Sequence, residues 1–213
     1  MTRFVGRENV RKRLAPFEGE RGRTTYTDGA VRIELPDEIV VVRPPFGLAH
    51  EQEYDTVRLA PLFDALAAEH VIGALLVRLG GYAIGVFGGE RLIASKVGSR
   101  FVKGRHKKGG SSANRFRRRR EEQARASIEA AAEVAVRVLE PWRDRIEHVA
   151  LGGDRAAIRD VLAAKPELEW LAERAIPRFF TVSEPRRRVL ERLPYDLYAA
   201  EVTSEVRQST VEG

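Results

Sequence analysis

Three short apolar runs separated by paired glycines constrain this chain most. Val71–Leu79, Tyr82–Phe87 and Arg91–Val97 are each too short for a core helix, and Gly80-Gly81 and Gly88-Gly89 stand between them. Glycine pairs supply the positive φ angles that tight hairpin turns need. The pattern predicts a three-stranded antiparallel meander. A different pattern follows it. Apolar side chains return at helical spacing from about Ala113 to Glu140, and Pro141 ends the run. Phe116, Ala124, Ile128, Ala131, Ala135 and Val138 form its expected core face.

The flanking segments read more simply. Residues 1–22 suggest a short helix and then loop. Arg23–Thr27 and Ala30–Leu35 flank Asp28-Gly29, a strong hairpin signal. Glu38–Arg43 is a third strand, stopped by Pro44-Pro45, and 46–56 reads as loop. Leu59–Glu69 has helical spacing through Leu59, Leu62, Phe63 and Leu66. After Pro141 the expectation is a strand at 146–151, a Gly152-Gly153-Asp154 turn, helices at 155–164 and 166–174, and a strand at 178–182. A last helix is capped by Ser183 and carries Val189, Leu190 and Leu193. The tail beyond 203 is expected to fray. The order predicts an α/β (α+β) fold, a single layered domain with a mixed sheet and packed helices. Residues 1–45 are expected as an N-terminal hairpin extension and 46–213 as the main domain.

Charge separates one segment from the rest. Arg100 to Arg120 holds ten Lys and Arg and no acid, whereas the remaining residues hold 27 basic and 31 acidic side chains. The protein is mildly acidic apart from one intensely basic stretch. A polyanion is the natural partner, because each phosphate neutralised releases counterions. No helix-turn-helix pattern points to duplex DNA. The chain has no cysteine, which excludes disulfides, thiolate catalysis and cysteine-ligated zinc. It has no 18-residue apolar run and no signal-peptide pattern, so a cytoplasmic protein without a membrane is expected.

Within the basic stretch, Gly109-Gly110 lets the backbone adopt positive φ and approach a ligand closely. Ser111 or Ser112 is placed to cap the helix that follows. That helix N-terminus offers free N–H groups and partial positive charge to an anion. A loop this basic is expected to be mobile in the free protein and to order on RNA. Lys103, Arg105, His106, Lys107, Lys108, Asn114, Arg115, Arg117, Arg118, Arg119 and Arg120 are the candidate RNA-binding residues.

The run Gly109-Gly110-Ser111-Ser112-Ala113-Asn114-Arg115-Phe116-Arg117 through Glu121 resembles a known loop. It is the Gly-Gly-Gln loop in the middle domain of eukaryotic and archaeal class-I peptide-chain release factors. The sequence is more similar still to the actinobacterial and chloroflexi release-factor-like peptidyl-tRNA hydrolases. These are related to a eukaryotic factor that frees nascent chains from stalled large ribosomal subunits. The resemblance implies a release-factor middle-domain fold with RNase H-like layering over about two thirds of the chain. It implies hydrolysis of the ester between peptide and tRNA during ribosome rescue, with peptidyl-tRNA and the large ribosomal subunit as partners. It places Gly109, Gly110, Ser111 and Ser112 at the catalytic position, without cofactor or metal. The lack of a separate codon-reading domain argues against stop-codon recognition.

The chain departs from the family at one decisive place: Ser111 stands where the family has its catalytic glutamine. Gln123 is about 16 Å along the helix from the loop, at 1.5 Å per residue. The alternative function is therefore a tRNA- or ribosome-binding factor without catalysis. Other residues also carry two readings. Phe116 anchors the helix or stacks on a base, and His106 contacts RNA or acts as a base. Arg186-Arg187-Arg188 is a second RNA patch or a solvated helix face. Gly152-Gly153-Asp154 lacks any nucleotide-binding pattern and reads as a structural turn. His50, His70 and His148 are scattered without ligand spacing, so no metal site is expected.

Overall fold

The computed structural model describes residues 2–78, 80–99 and 113–206. The protein is mixed α/β, and its backbone forms two compact units. One comprises Met1–Ala68 with Tyr195–Gly213, the other Glu69–Pro194. These limits differ from the division at residue 45 drawn from the sequence.

The first unit contains strands β1 (Thr2–Gly6), β2 (Arg21–Thr27), β3 (Ala30–Glu34), β4 (Glu38–Arg43), β5 (Gln52–Thr56) and β11 (Ala199–Val206). They form one antiparallel sheet in the order β1-β11-β4-β3-β2-β5. The expected hairpin closes at Asp28 (φ 50°) and Gly29 (φ 68°), the double positive φ of a type I′ turn. Helices α1 (Arg7–Leu14) and α2 (Ala60–Ala67) belong to the same unit. Val31, Ile33, Val40, Val42 and Val202 alternate inward, and Val10, Leu14, Leu62 and Leu66 complete the core. Fully burying side chains of this size stabilises by roughly 1.5–3 kcal/mol each.

Three expectations fail in this unit. Residues 2–6 form a strand, residues 52–56 form the edge strand β5, and the segment after 203 continues as strand to Val206. β1 is short and β5 is polar, and both gain their structure from non-local pairing. β11 seats itself between β1 and β4. Thr24 shows what holds the β5 side: its buried hydroxyl donates to the Thr56 carbonyl (3.1 Å) and accepts from the Arg58 N–H (3.0 Å). Both bonds satisfy a polar group that would be costly to bury alone.

The second unit contains the expected meander, β6 (Val71–Arg78), β7 (Gly81–Gly88) and β8 (Arg91–Ser99). Strands β9 (His148–Gly153) and β10 (Ala175–Phe180) extend it in parallel, giving a mixed sheet in the order β10-β9-β6-β7-β8. Helices α3 (Ala113–Leu139), α4 (Arg155–Ala164) and α5 (Trp170–Glu173) belong here, and α6 (Arg187–Leu197) runs across the division between units. Leu75, Val77, Ile84, Val86 and Val149 pack with Ala131, Ala135 and Leu139 of α3 and Ile158 and Val161 of α4. Alanines on α3 let its backbone come close to the sheet. Ile128 and Val138 pack at the margin of this core, and Ala124 is half-buried. Phe116 lies outside the described side chains.

Sequence limits move in three places. The helix expected at 166–174 is a 3-10 turn (Pro166–Leu168) followed by α5. The strand expected at 178–182 spans Ala175–Phe180. Ser183 does not cap α6, which begins four residues later at Arg187; Leu190 and Leu193 are buried as expected.

Candidate nucleic-acid interface

Adjacent strands β6, β7 and β8 are antiparallel, so β6 and β8 run the same way. Arg78, Gly81, Ser99 and the end of β9 at Gly153 therefore share one edge of the sheet. From that edge the chain leaves at Ser99 and returns as α3 at Ala113. The expected strand before the basic segment and the expected long helix after it are both present.

The candidates divide accordingly. Lys103, Arg105, His106, Lys107, Lys108, Gly109, Gly110, Ser111 and Ser112 lie outside the described residues, as does the expected serine cap. Asn114, Arg115, Arg117 and Arg120 fall on the first turns of α3, with side chains outside the described set. Arg118 and Arg119 are exposed.

α3 explains that exposure. Its first buried side chain, among those described, is Ser127, and buried side chains recur regularly from Ala131 to Leu139. Residues 113–126 make roughly 21 Å of helix at 1.5 Å per residue. Glu121, Glu122, Gln123 and Arg125 are exposed along it. The C-terminal half of α3 anchors it, and the N-terminal half presents charge to solvent. Gln123 is on that exposed half, well separated from the glycines in sequence.

Two other candidate sites have local partners. The Asp154 carboxylate accepts from the N–H groups of Ala156 (2.8 Å) and Ala157 (3.0 Å) at the start of α4. The helix terminus that could hold a phosphate is thus capped from within. Arg186 pairs with Glu184 at 2.8 Å and Arg187 with Glu191 at 2.9 Å, so acidic neighbours balance part of that arginine run.

One cluster escaped the sequence reading. His70 and His148 are 78 positions apart in the chain, yet the parallel pairing of β6 with β9 sets Ile72 beside His148. Their rings meet edge to face at 4.9 Å between centroids. His70 Nδ1 lies 2.8 Å from Glu147 Oε2, and Glu147 Oε1 accepts from the Val71 N–H at 2.9 Å. Burial lowers the pKa of His148, the neighbouring His70 lowers it further, and Glu147 opposes both. Burial pushes the Glu147 carboxyl up. The Val71 N–H and the His70 ring outweigh that and hold it below the ordinary carboxylate range. Only the β6–β9 register could have revealed this grouping.

The family model described as the Actinobacteria/chloroflexi VLRF1 release factor matches residues 70–203. The chain belongs to that family. The family is one of release factors, which suggests a role in translation termination or ribosome rescue. Among solved structures, the crystal structure of an archaeal translation termination factor, aRF1, is 17% identical, with a TM-score of 0.46. The match covers 76% of this chain and 49% of that one. A second structure, titled only as an archaeal protein, is 16% identical with a TM-score of 0.41, covering 76% and 50%. The chain thus spans about half the length of these structures. No curated protein matches it. No helix among the described residues is long and apolar enough to cross a membrane.

Proposed function

We propose that this member of the release-factor family is a peptidyl-tRNA hydrolase of ribosome rescue, working in the cytoplasm on peptidyl-tRNA at the large ribosomal subunit. The observation that carries the reading is the segment joining β8 to α3. It lies inside the family match, holds Gly109-Gly110, and leads into a helix whose first turns carry the Arg115–Arg120 run, with Arg118 and Arg119 exposed.

The chemistry asks for two things: a placed water, and stabilisation of the oxyanion that develops as the ester carbonyl is attacked. A backbone N–H can provide the second. Loss of one such donor typically costs about 10²–10³ in rate. The N–H of Ser111, next to Gly110, is the candidate donor. The terminal ribose hydroxyl of the tRNA relays the proton, with His106, Ser111 and Asn114 available to position water. The arginines and lysines grip phosphates, so binding weakens as salt rises.

Ser111 at the glutamine position favours a second reading, a binding factor without turnover. Release of labelled peptide from peptidyl-tRNA, free and bound to the large subunit, separates the two. Turnover on the subunit-bound substrate supports the hydrolase. Salt-dependent binding without release on either substrate supports the binding factor.

A further inference from the structure

We infer that His70, Glu147 and His148 form a site for one divalent transition-metal ion of the zinc class, which clamps the N-terminal ends of β6 and β9. One ligand atom from each of the three residues lies within 4.8 Å of the others. Zinc bonds nitrogen and carboxylate oxygen at about 2.0–2.2 Å in a tetrahedron, which sets ligand atoms roughly 3.3–3.6 Å apart around one ion. His70 Nδ1 and Glu147 Oε2 are hydrogen-bonded at 2.8 Å, and an ion replacing the shared proton would spread them by roughly half an ångström. The remaining ligand atom stands within 4.8 Å, and an ion bound there would draw it in.

The donor set selects the ion. Two imidazoles and one carboxylate suit zinc and its neighbours, whereas calcium and magnesium take oxygen ligands almost exclusively. The carboxylate is already oriented: the Val71 N–H holds Glu147 Oε1, which leaves Oε2 directed at His70. Backbone bonds fix the frame. Glu147 N–H donates to the Val71 carbonyl at 2.9 Å, and Gly89 N–H donates to the His70 carbonyl at 3.0 Å.

Position decides the role. The cluster sits where β6 and β9 begin, whereas the basic segment leaves from the edge where β6 and β8 end. Eight residues of β6 separate the two edges by about 26 Å. The ion therefore ties strands together at the end of the sheet opposite Ser99. A metal clamp at this edge is independent of the hydrolase reading.

The test uses the full untagged chain, stripped with chelator and dialysed against zinc, with metal per chain measured by elemental analysis. Cobalt substitution reports coordination through its visible absorption. The expected result is one zinc per chain, an intense four-coordinate cobalt band, and a zinc-dependent rise in melting temperature. His148→Ala and Glu147→Gln should each weaken binding at least ten-fold. Glu147→Gln retains an oxygen to accept the Val71 N–H, so it guards against misfolding as the cause. His50→Ala and His106→Ala should bind as the wild type does. Absence of stoichiometric zinc on the wild type, or equal binding by wild type and Glu147→Gln, would overturn the inference.

Discussion

Gly153 lies against the carbonyl of Val77, so close that a Cβ there would stand 2.1 Å from the oxygen. Its φ is +102°, and the next residue, Asp154, donates its N–H to the same carbonyl at 2.8 Å. One backbone approach thus ends β9 beside β6 and starts α4. Gly153→Ala meets both the φ penalty and a backbone clash. It should destabilise the protein by about 3 kcal/mol or more. Thermal melting followed by circular dichroism checks this; an unchanged melting temperature would refute it.

Asp154→Ala removes a cap without creating a clash. Two N–H groups of α4 lose their acceptor, at a cost of about 1 kcal/mol. The melting temperature should fall by a few degrees. Equal RNA affinity in this variant would agree with a purely structural role for the Gly152-Gly153-Asp154 turn.

Tyr26 supplies a pH test. Burial raises its phenol pKa well above the ordinary tyrosine value, and its hydroxyl donates to the Arg58 carbonyl at 2.6 Å. The folded state holds this proton more tightly than the unfolded state. The associated stability is complete below about pH 10 and is lost as pH rises above it. Tyr26→Phe should lower stability by about 1–2 kcal/mol at neutral pH and make its decline above pH 10 shallower. Denaturant melts between pH 8 and 11 measure both effects.

Arg118→Ala with Arg119→Ala tests the exposed half of α3. Both side chains are exposed, so stability should change by no more than about 0.5 kcal/mol per site. RNA affinity should fall, and the slope of log affinity against log salt should flatten by about one for each phosphate no longer neutralised. Wild-type affinity and slope would remove this face from the interface.

Local chemistry made most of the fold legible. Asp28-Gly29 marked its hairpin, the paired glycines marked the meander, and Pro141 marked the end of α3. The elements that escaped depend on distant partners. β1, β5 and β11 are short or polar, and their place comes from pairing across as much as two hundred residues, as in Thr2 with Thr203. The same reason hid the His70–Glu147–His148 cluster. Ser183 misled because it is a good capping residue followed by Pro185, yet the chain continues for three residues before α6 starts at Arg187. The glycines and serines at 109–112 were legible as motif, and they lie outside the described residues. Their role rests on the sequence and on the family.

The most direct measurement is peptide release from peptidyl-tRNA on the large ribosomal subunit, with wild type and Gly110→Val compared side by side. Valine restricts the backbone where the loop must approach the ester. The expected outcome is release by the wild type and a fall of at least 10²-fold in Gly110→Val, as when an oxyanion donor is misplaced, with melting temperature unchanged. Release at the wild-type rate by Gly110→Val, or no release by the wild type despite tight binding, would contradict the hydrolase assignment.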